Sequence, residues 1–457
     1  MIEFVLLANT IFFIFLVAFL YGRGFLNVYS GIFVYIAFHF ITFVQRPIAV
    51  HLLDIRSEFI FMQYMPTDDV FIQTIFVANV GLVSFILGFL LVLRFEPISP
   101  HFQLPQVSTL DRKAMAAAFV ILSPMMIYSF YLVFTTRLTS SPEFLGDWGG
   151  IVLTTDPVTG VTLFNDNSAY LVFARNMALP FAAYFLFINW GRWWSVLPLA
   201  FCGFIALHAG GGRWELVIST IVGIAMLLYL RRRKLPSARH LVVLIFVLIV
   251  FMAAGRNRGI VTNFLETGTF EWNFDFENSS FGAHPDFANF EFLTYVIGKV
   301  PDASRTWSYF TQYLGLFTQP IPRVFWPDKP VGSPIVLVNL QAYGRFASRT
   351  TSLVGDGWIS LGYIGVMMTL SLAGAGYGWL YKRFCTVSPS IYFFCAYLWM
   401  EALLIQWARD GGPKIAEFFF FCLAPLVLAW GLRYVIGNTR ERERTEPIQR
   451  NVQLGSE

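Results

Sequence analysis

The chain has 457 residues, 56% hydrophobic, 18% aromatic and only 13% charged, with a formal net charge of +4. So much apolar material with so little charge excludes an ordinary soluble domain, because a hydrocarbon core of about 30 Å asks for roughly 20 apolar residues per helical crossing. The four cysteines show neither a disulfide framework nor a zinc spacing, and no phosphate-binding glycine loop, zinc-protease helix or serine elbow occurs, which argues against nucleotide-driven transport by this chain alone.

In chain order, apolar runs predict eleven transmembrane helices, near 4–21, 25–45, 70–93, 114–136, 169–189, 194–209, 215–230, 241–254, 353–381, 389–408 and 415–436. No cleavage signal follows the first run, so that helix is expected to be retained. The runs at 194–209 and 241–254 are short for a full crossing. The organisation expected is an all-α polytopic membrane protein. An N-terminal bundle of eight spans (1–254) precedes one long outer loop (255–352) carrying short helices. A C-terminal bundle of three spans (353–436) and a cytoplasmic tail (437–457) follow.

Orientation follows from basic residues in short loops. The run "RRRK" at 231–234 marks the cytoplasmic side, and counting from it places Arg23, Arg94, Arg112, Lys113, Arg192, Lys382 and Arg383 there too. The acidic loop 137–168 falls on the opposite side, with the N-terminus outside and the C-terminus inside. Because the charge is largely topological, +4 does not point to nucleic acid. The basic tail "TRERERTEPIQR" fits a solvated end beside anionic lipid.

A loop as long as 255–352 is uncommon and usually functional. Its charges are sorted. The stretch 266–291 carries Glu266, Glu271, Asp275, Glu277, Asp286 and Glu291 with no base, whereas 299–349 is rich in lysine and arginine. "PDASRTWSYFTQYLGLF" reads as an amphipathic helix capped by Asp302, with Trp307, Phe310, Leu314 and Phe317 on one face along the membrane surface. After it comes "QPIPRVFWPDKP", whose four prolines forbid a regular helix and stiffen a segment bearing Arg323, Trp326 and Lys329.

Further cations stand at the outer edge. Arg213 follows three glycines in "HAGGGRWE", and Arg409 lies in "WARDGGPK" beside Asp410. Arg175 lies within the fifth span, where an unpaired charge is costly, and Glu401 is its candidate partner in a structural pair. Gly374 and Gly378, four apart, suit close helix packing. Taken singly, outer arginines serve as interfacial anchors and tryptophans as belt residues.

Together, arginines at a membrane–water boundary suit a phosphorylated lipid, since guanidinium groups bind phosphate oxygens through paired, charge-assisted hydrogen bonds. The pyrophosphate-binding candidates are Arg213, Arg323, Arg409, Arg256, Arg258 and Lys329, with Trp326, Arg305, Arg345 and Arg349 as further substrate contacts. If a lipid pyrophosphate leaves, these cations stabilise charge that grows in the transition state. Glycosyl transfer also needs a proton acceptor. Asp356 and Asp410 are the catalytic candidates, and Glu266 and the acids of 271–291 are further carboxylates on the same side.

Four segments carry a family resemblance. "IPRVFWPDKP" resembles the proline–arginine–tryptophan–lysine motif of bacterial oligosaccharide repeat-unit polymerases, the O-antigen polymerase (Wzy-type) family. "GGRWELV" is similar to that family's Gly–Arg junction, "GDGWISLGYIGV" to its acid–aromatic–Gly entry into a span, and "ARDGG" to its outer arginine turn. The likeness covers roughly 205–435. Asp356 stands where the pattern has Glu, which draws that carboxylate back by a methylene.

The resemblance implies a GT-C-like glycosyltransferase of the bacterial inner membrane, with its active site facing the periplasm. It would polymerise undecaprenyl-pyrophosphate-linked oligosaccharide repeat units into O-antigen or exopolysaccharide, without a metal or other cofactor, in contact with membrane lipids and with a chain-length regulator as a further candidate partner. A ligase of the same superfamily is the alternative. A lipid-linked sugar flippase is a weaker one, because no internal repeat is evident.

Overall fold

The computed structural model describes residues 1–103, 105–139, 153–155, 162–164, 174–189, 192–208, 213–238, 287–318, 334–346, 350–386, 390–412 and 419–437, with isolated positions between them. The side chains of 132–139, 203–208, 213–216 and 316 fall outside that description. The fold is helical, apart from one described pair of three-residue strands, β1 (Leu153–Thr155) and β2 (Thr162–Phe164), in which Leu153 faces Phe164.

Among the described residues, seven helical segments are long and apolar enough to cross a membrane. They are α1 (Ile2–Gly22), the composite Gly31–Leu52, α5 (Asp68–Val92), the part Thr109–Tyr131 of α6 (Thr109–Thr139), α13 (Ser352–Thr386), α14 (Ile391–Asp410) and α15 (Phe419–Gly437). The composite comprises α2 (Gly31–His39), a π-helical turn (Phe40–Gln45) and α3 (Arg46–Leu52), and α4 (Ser57–Phe61) follows it. Three of the expected spans are shorter apolar helices: Ala174–Ile188 with α7 (Ala178–Ile188), Trp193–Cys202 leading into α8 (Leu197–His208), and Val217–Leu230 within α9 (Arg213–Leu230). The expected span 241–254 lies almost wholly outside the described residues.

The chain divides into two compact units. The first holds 1–102, 220–387 and 400–418, and the second holds 103–219, 388–399 and 419–457. In the second unit, α6 begins with a reciprocal cap. The Ser108 N–H donates to Asp111 at 2.8 Å, and the Asp111 N–H donates to the Ser108 hydroxyl at 3.1 Å. Arg433 of α15 pairs with the same carboxylate at 2.9 Å. Arg175 is buried here, its N–H donating to Ser129 Oγ at 3.0 Å.

The first unit is organised around α5 and α13, whose backbones touch. A Cβ on Gly374 would lie 2.0 Å from the Phe85 carbonyl oxygen, one on Gly378 2.8 Å from that of Phe89, and one on Gly88 2.1 Å from that of Ser371. Only glycine admits this approach, as the spacing of Gly374 and Gly378 predicts.

A second apolar surface receives α10 (Asn289–Lys299), in which every residue from Asn289 to Ile297 is buried. This helix belongs to the stretch read from sequence as an outer loop, yet it packs against α5 and α13. Glu291 is the physical reason it can do so. Its carboxylate accepts from Arg46 Nε at 2.8 and 3.1 Å and from Arg46 Nη2, and both side chains are 1% exposed. Burial pushes the Glu291 carboxyl above the ordinary carboxylate range, with the Arg46 guanidinium acting the other way. Glu291, expected among the exposed loop acids, is therefore an internal ion-pair member and no longer a candidate proton acceptor.

The unit also gathers the basic loops at one end. The Lys234 carbonyl accepts from the Val28 N–H at 2.9 Å, Lys234 Nζ donates to Ser99 Oγ at 2.8 Å, and the Tyr381 hydroxyl donates to the Ile98 carbonyl at 2.6 Å. Within this unit, the loops around 23–30, 94–99 and 231–234 and the end of α13 thus meet.

Removing one partner of the Arg46–Glu291 pair strands a buried charge, at a cost of about 3–5 kcal/mol. Arg46→Met and Glu291→Leu should each lower the thermal unfolding midpoint in detergent. The double variant should lose clearly less than the sum of the two.

Candidate functional site

The site begins with a break in α13. Leu361 (φ −167°, ψ 38°) and Gly362 (φ 59°, ψ −138°) are non-helical, so a first segment, 352–360, ends there and a second, 363–386, continues. The two fold against each other at glycines. A Cβ on Gly365 would lie 2.0 Å from the Gly357 carbonyl oxygen, and one on Gly357 2.7 Å from Val366 Cα.

A helix that ends in an apolar interior leaves carbonyls without partners. Here the Ile359 and Ser360 carbonyls accept from the Ser308 N–H at 2.9 Å and the Tyr309 N–H at 3.1 Å. Gln312 extends the connection, donating to Ser360 Oγ at 2.6 Å and accepting from Ser308 Oγ at 2.7 Å. Trp358 donates its indole N–H to the Val300 carbonyl at 2.8 Å.

These bonds account for a correction to the expected amphipathic helix. Of this stretch only α11 (Thr311–Thr318) is helical, with the short α12 (Pro334–Leu337) following later, and residues 301–310 form turns with positive φ at Arg305, Tyr309 and Phe310. Backbone donors at 308 and 309 serve α13 instead of a local helix. Gln312 is buried, and Asp302, the expected cap, is exposed. The surface-lying apolar face survives in part, with Leu314 60% and Phe317 80% exposed.

Asp356 lies in the first segment of α13, fully buried. Its carboxylate accepts from Thr351 Oγ1 and, at 2.5 Å, from the backbone N–H of Gly412. Two glycines make room for this. Gly411 sits at φ 87°, where a Cβ would also meet Asp356 Oδ2 at 2.5 Å, and a Cβ on Gly412 would lie 2.5 Å from the Tyr313 ring. The Tyr313 hydroxyl is buried on the same side.

The turn that Asp356 holds carries Arg409 and Asp410. Asn289 of α10 donates to the Arg409 carbonyl at 2.8 Å and to Thr350 Oγ1 at 3.2 Å. Arg409 Nη1 lies 3.5 Å from Asp410 Oδ1, and Gln406 donates to Asp410 Oδ2 at 3.3 Å. The Arg409 side chain keeps 16% exposure. Segments far apart in sequence, 289, 312–313, 350–356 and 409–412, therefore form one polar cluster, and chemically it presents a cation on a turn held by a buried carboxylate.

Of the residues singled out from sequence, the structure brings Asp356, Arg409 and Asp410 together. Arg305 and Arg345 are exposed, Arg345 in a turn whose N–H donates to the Met62 carbonyl, and Trp326 is 40% exposed. None of these three contacts the cluster through a described hydrogen bond or ion pair. Arg213 opens α9 in the second unit, with its side chain outside the described residues. Arg256, Arg258, Arg323, Lys329 and Arg349 lie outside the described residues, as do Glu266 and the acids at 271–286. Asn289, Gln312, Tyr313, Thr351 and the Arg46–Glu291 pair escaped the sequence reading. A signal existed for two of them in "FANFEF", where Asn289 and Glu291 interrupt an aromatic run.

No protein-family model, curated protein or solved structure matches this chain. Among the described residues no three His, Cys, Asp or Glu side chains converge as a metal site.

Truncating the central carboxylate tests its structural role. Asp356→Ala orphans the Gly412 N–H and the Thr351 hydroxyl, at about 1–3 kcal/mol for each group. Asp356→Asn keeps a carbonyl acceptor for Gly412 and should retain most of the thermal stability in detergent.

Proposed function

We propose that this chain is a membrane glycosyltransferase that polymerises lipid-pyrophosphate-linked oligosaccharide repeat units on the outer face of a bacterial inner membrane. The observation that supports this reading best is the Asp356–Gly412 hydrogen bond, because it joins the "GDGW" and "ARDGG" segments, two of the four that resemble the repeat-unit polymerase family. The charge-based topology assigns both segments to the outer side.

In this reading Arg409 faces the diphosphate of the donor lipid. The bond from the sugar anomeric carbon to the pyrophosphate oxygen breaks, and that carbon bonds to a hydroxyl oxygen of the acceptor sugar. The departing pyrophosphate takes the electron pair, and guanidinium groups stabilise the charge it gains. The acceptor hydroxyl loses its proton to a carboxylate. Asp410 is the candidate, being next to Arg409, whereas the enclosed Asp356 is given a positioning role for the 409–412 turn. Arg213, Arg323, Arg256, Arg258 and Lys329 are proposed to complete the anion site, with Arg305, Arg345, Arg349 and Trp326 towards the glycan.

The test compares Arg409→Ala, Arg323→Ala and Arg213→Ala in cells whose own polymerase is removed and replaced by this chain. Each variant should insert normally yet yield single repeat units in place of a ladder of long chains, and normal ladders from all three would overturn the proposal. Purified protein given lipid-linked repeat units alone should make polymer, which a ligase would not.

A further inference from the structure

A second feature of the first unit lies away from Asp356. Between the C-terminal halves of α1 and α5 runs a groove of about 370 Å³, lined by Leu16, Phe19, Leu20, Val83, Ile86 and Leu87 among others, with Arg23 as its one charged wall. From Leu16 to Arg23 it follows two turns of helix, roughly 10 Å of depth at about 1.5 Å per residue. Both helices end here, α1 at Gly22 and α5 at Val92, so their negative dipole ends favour a cation at the mouth.

The charges around that mouth are one-sided. Arg94 is exposed next to Phe95, which also lines the groove, and the run 231–234 reaches the same end through the Lys234 contacts with Val28 and Ser99. Lys382 joins them, Nζ donating to the Val92 carbonyl at 3.5 Å. In the described loops of this unit at this end, Glu96 is the one acid. The Arg23 guanidinium lies 5.6 Å from the centre of the Phe19 ring, at the rim of the groove.

We infer that this groove is a binding site for one anionic phospholipid of the leaflet at the basic end, with an acyl chain along α1 and α5 and the phosphate on Arg23. An apolar trough alone would accept any chain or none in particular. The cationic mouth supplies the headgroup selectivity, since basic pockets between helices at the cytoplasmic side recognise anionic headgroups. This inference stands apart from the glycosyltransferase reading and shares none of its residues.

Native mass spectrometry of the full-length protein in detergent, titrated with phosphatidylglycerol or phosphatidylcholine of identical chains, tests it. The unsubstituted protein should retain phosphatidylglycerol about fivefold more tightly, as expected for one cation near the headgroup. Arg23→Gln should erase that preference and Arg23→Lys should keep it. Leu87→Trp, at an exposed position that fills the trough, should weaken retention of both lipids. Equal retention of the two lipids by the unsubstituted protein would overturn the inference. So would a preference that persists in Arg23→Gln, or retention of both lipids left at full strength in Leu87→Trp, which would mean adsorption to the basic rim alone. Size-exclusion elution matching the unsubstituted protein checks the fold of each variant, and the Lys-against-Gln comparison holds even if one of them is less stable.

Discussion

Every buried backbone carbonyl needs a donor, and α13 breaks at Leu361–Gly362 inside an apolar bundle where water is scarce. Much of the first unit answers to that requirement. The carbonyls freed at 359 and 360 take the N–H groups of Ser308 and Tyr309, which ties a loop lying far away in sequence to this helix. With the loop in place, Gln312 and Tyr313 reach the first segment of α13. The fold-back at Gly357 and Gly365 then sets Asp356 inside, where it accepts from Gly412.

A buried carboxylate costs several kcal/mol unless its lone pairs are used, and Asp356 and Glu291 use them differently. Asp356 is held by a hydroxyl and a backbone amide, a neutral environment that fixes a turn. Glu291 is held by a guanidinium and so fixes a whole helix, α10, which in turn delivers Asn289 to the Arg409 carbonyl. Arg409 thus depends on two internal carboxylates without touching Glu291 itself. Its own side chain remains partly exposed, which suits a group proposed to meet a substrate.

The other end of the unit follows a different logic. There the cations lie in loops and at helix ends, exposed, with little acid among them, beside helices whose outer faces are apolar. A membrane lipid with an anionic headgroup satisfies both features at once. The unit is therefore polar and closely hydrogen-bonded around Asp356 and electropositive at the opposite helix ends, with the close α5–α13 contact between.

Composition and run length by themselves determined that the chain is helical and built to sit in a membrane, because transfer of apolar residues depends on number and not on neighbours. The long spans, the basic loops that share one end and the small-residue face at Gly374 and Gly378 were legible for the same reason: each is a local property of a short segment. The tertiary structure decided what local patterns cannot encode. Residues 301–310 look amphipathic, yet the amides of Ser308 and Tyr309 are claimed by α13, and Glu291 looks like one more loop acid until Arg46, 245 positions away, pairs with it. Asp356 and Gly412 each carry a recognisable motif. Their hydrogen bond across 56 positions exists because a break in one helix and a glycine turn after another bring the carboxylate and the amide together.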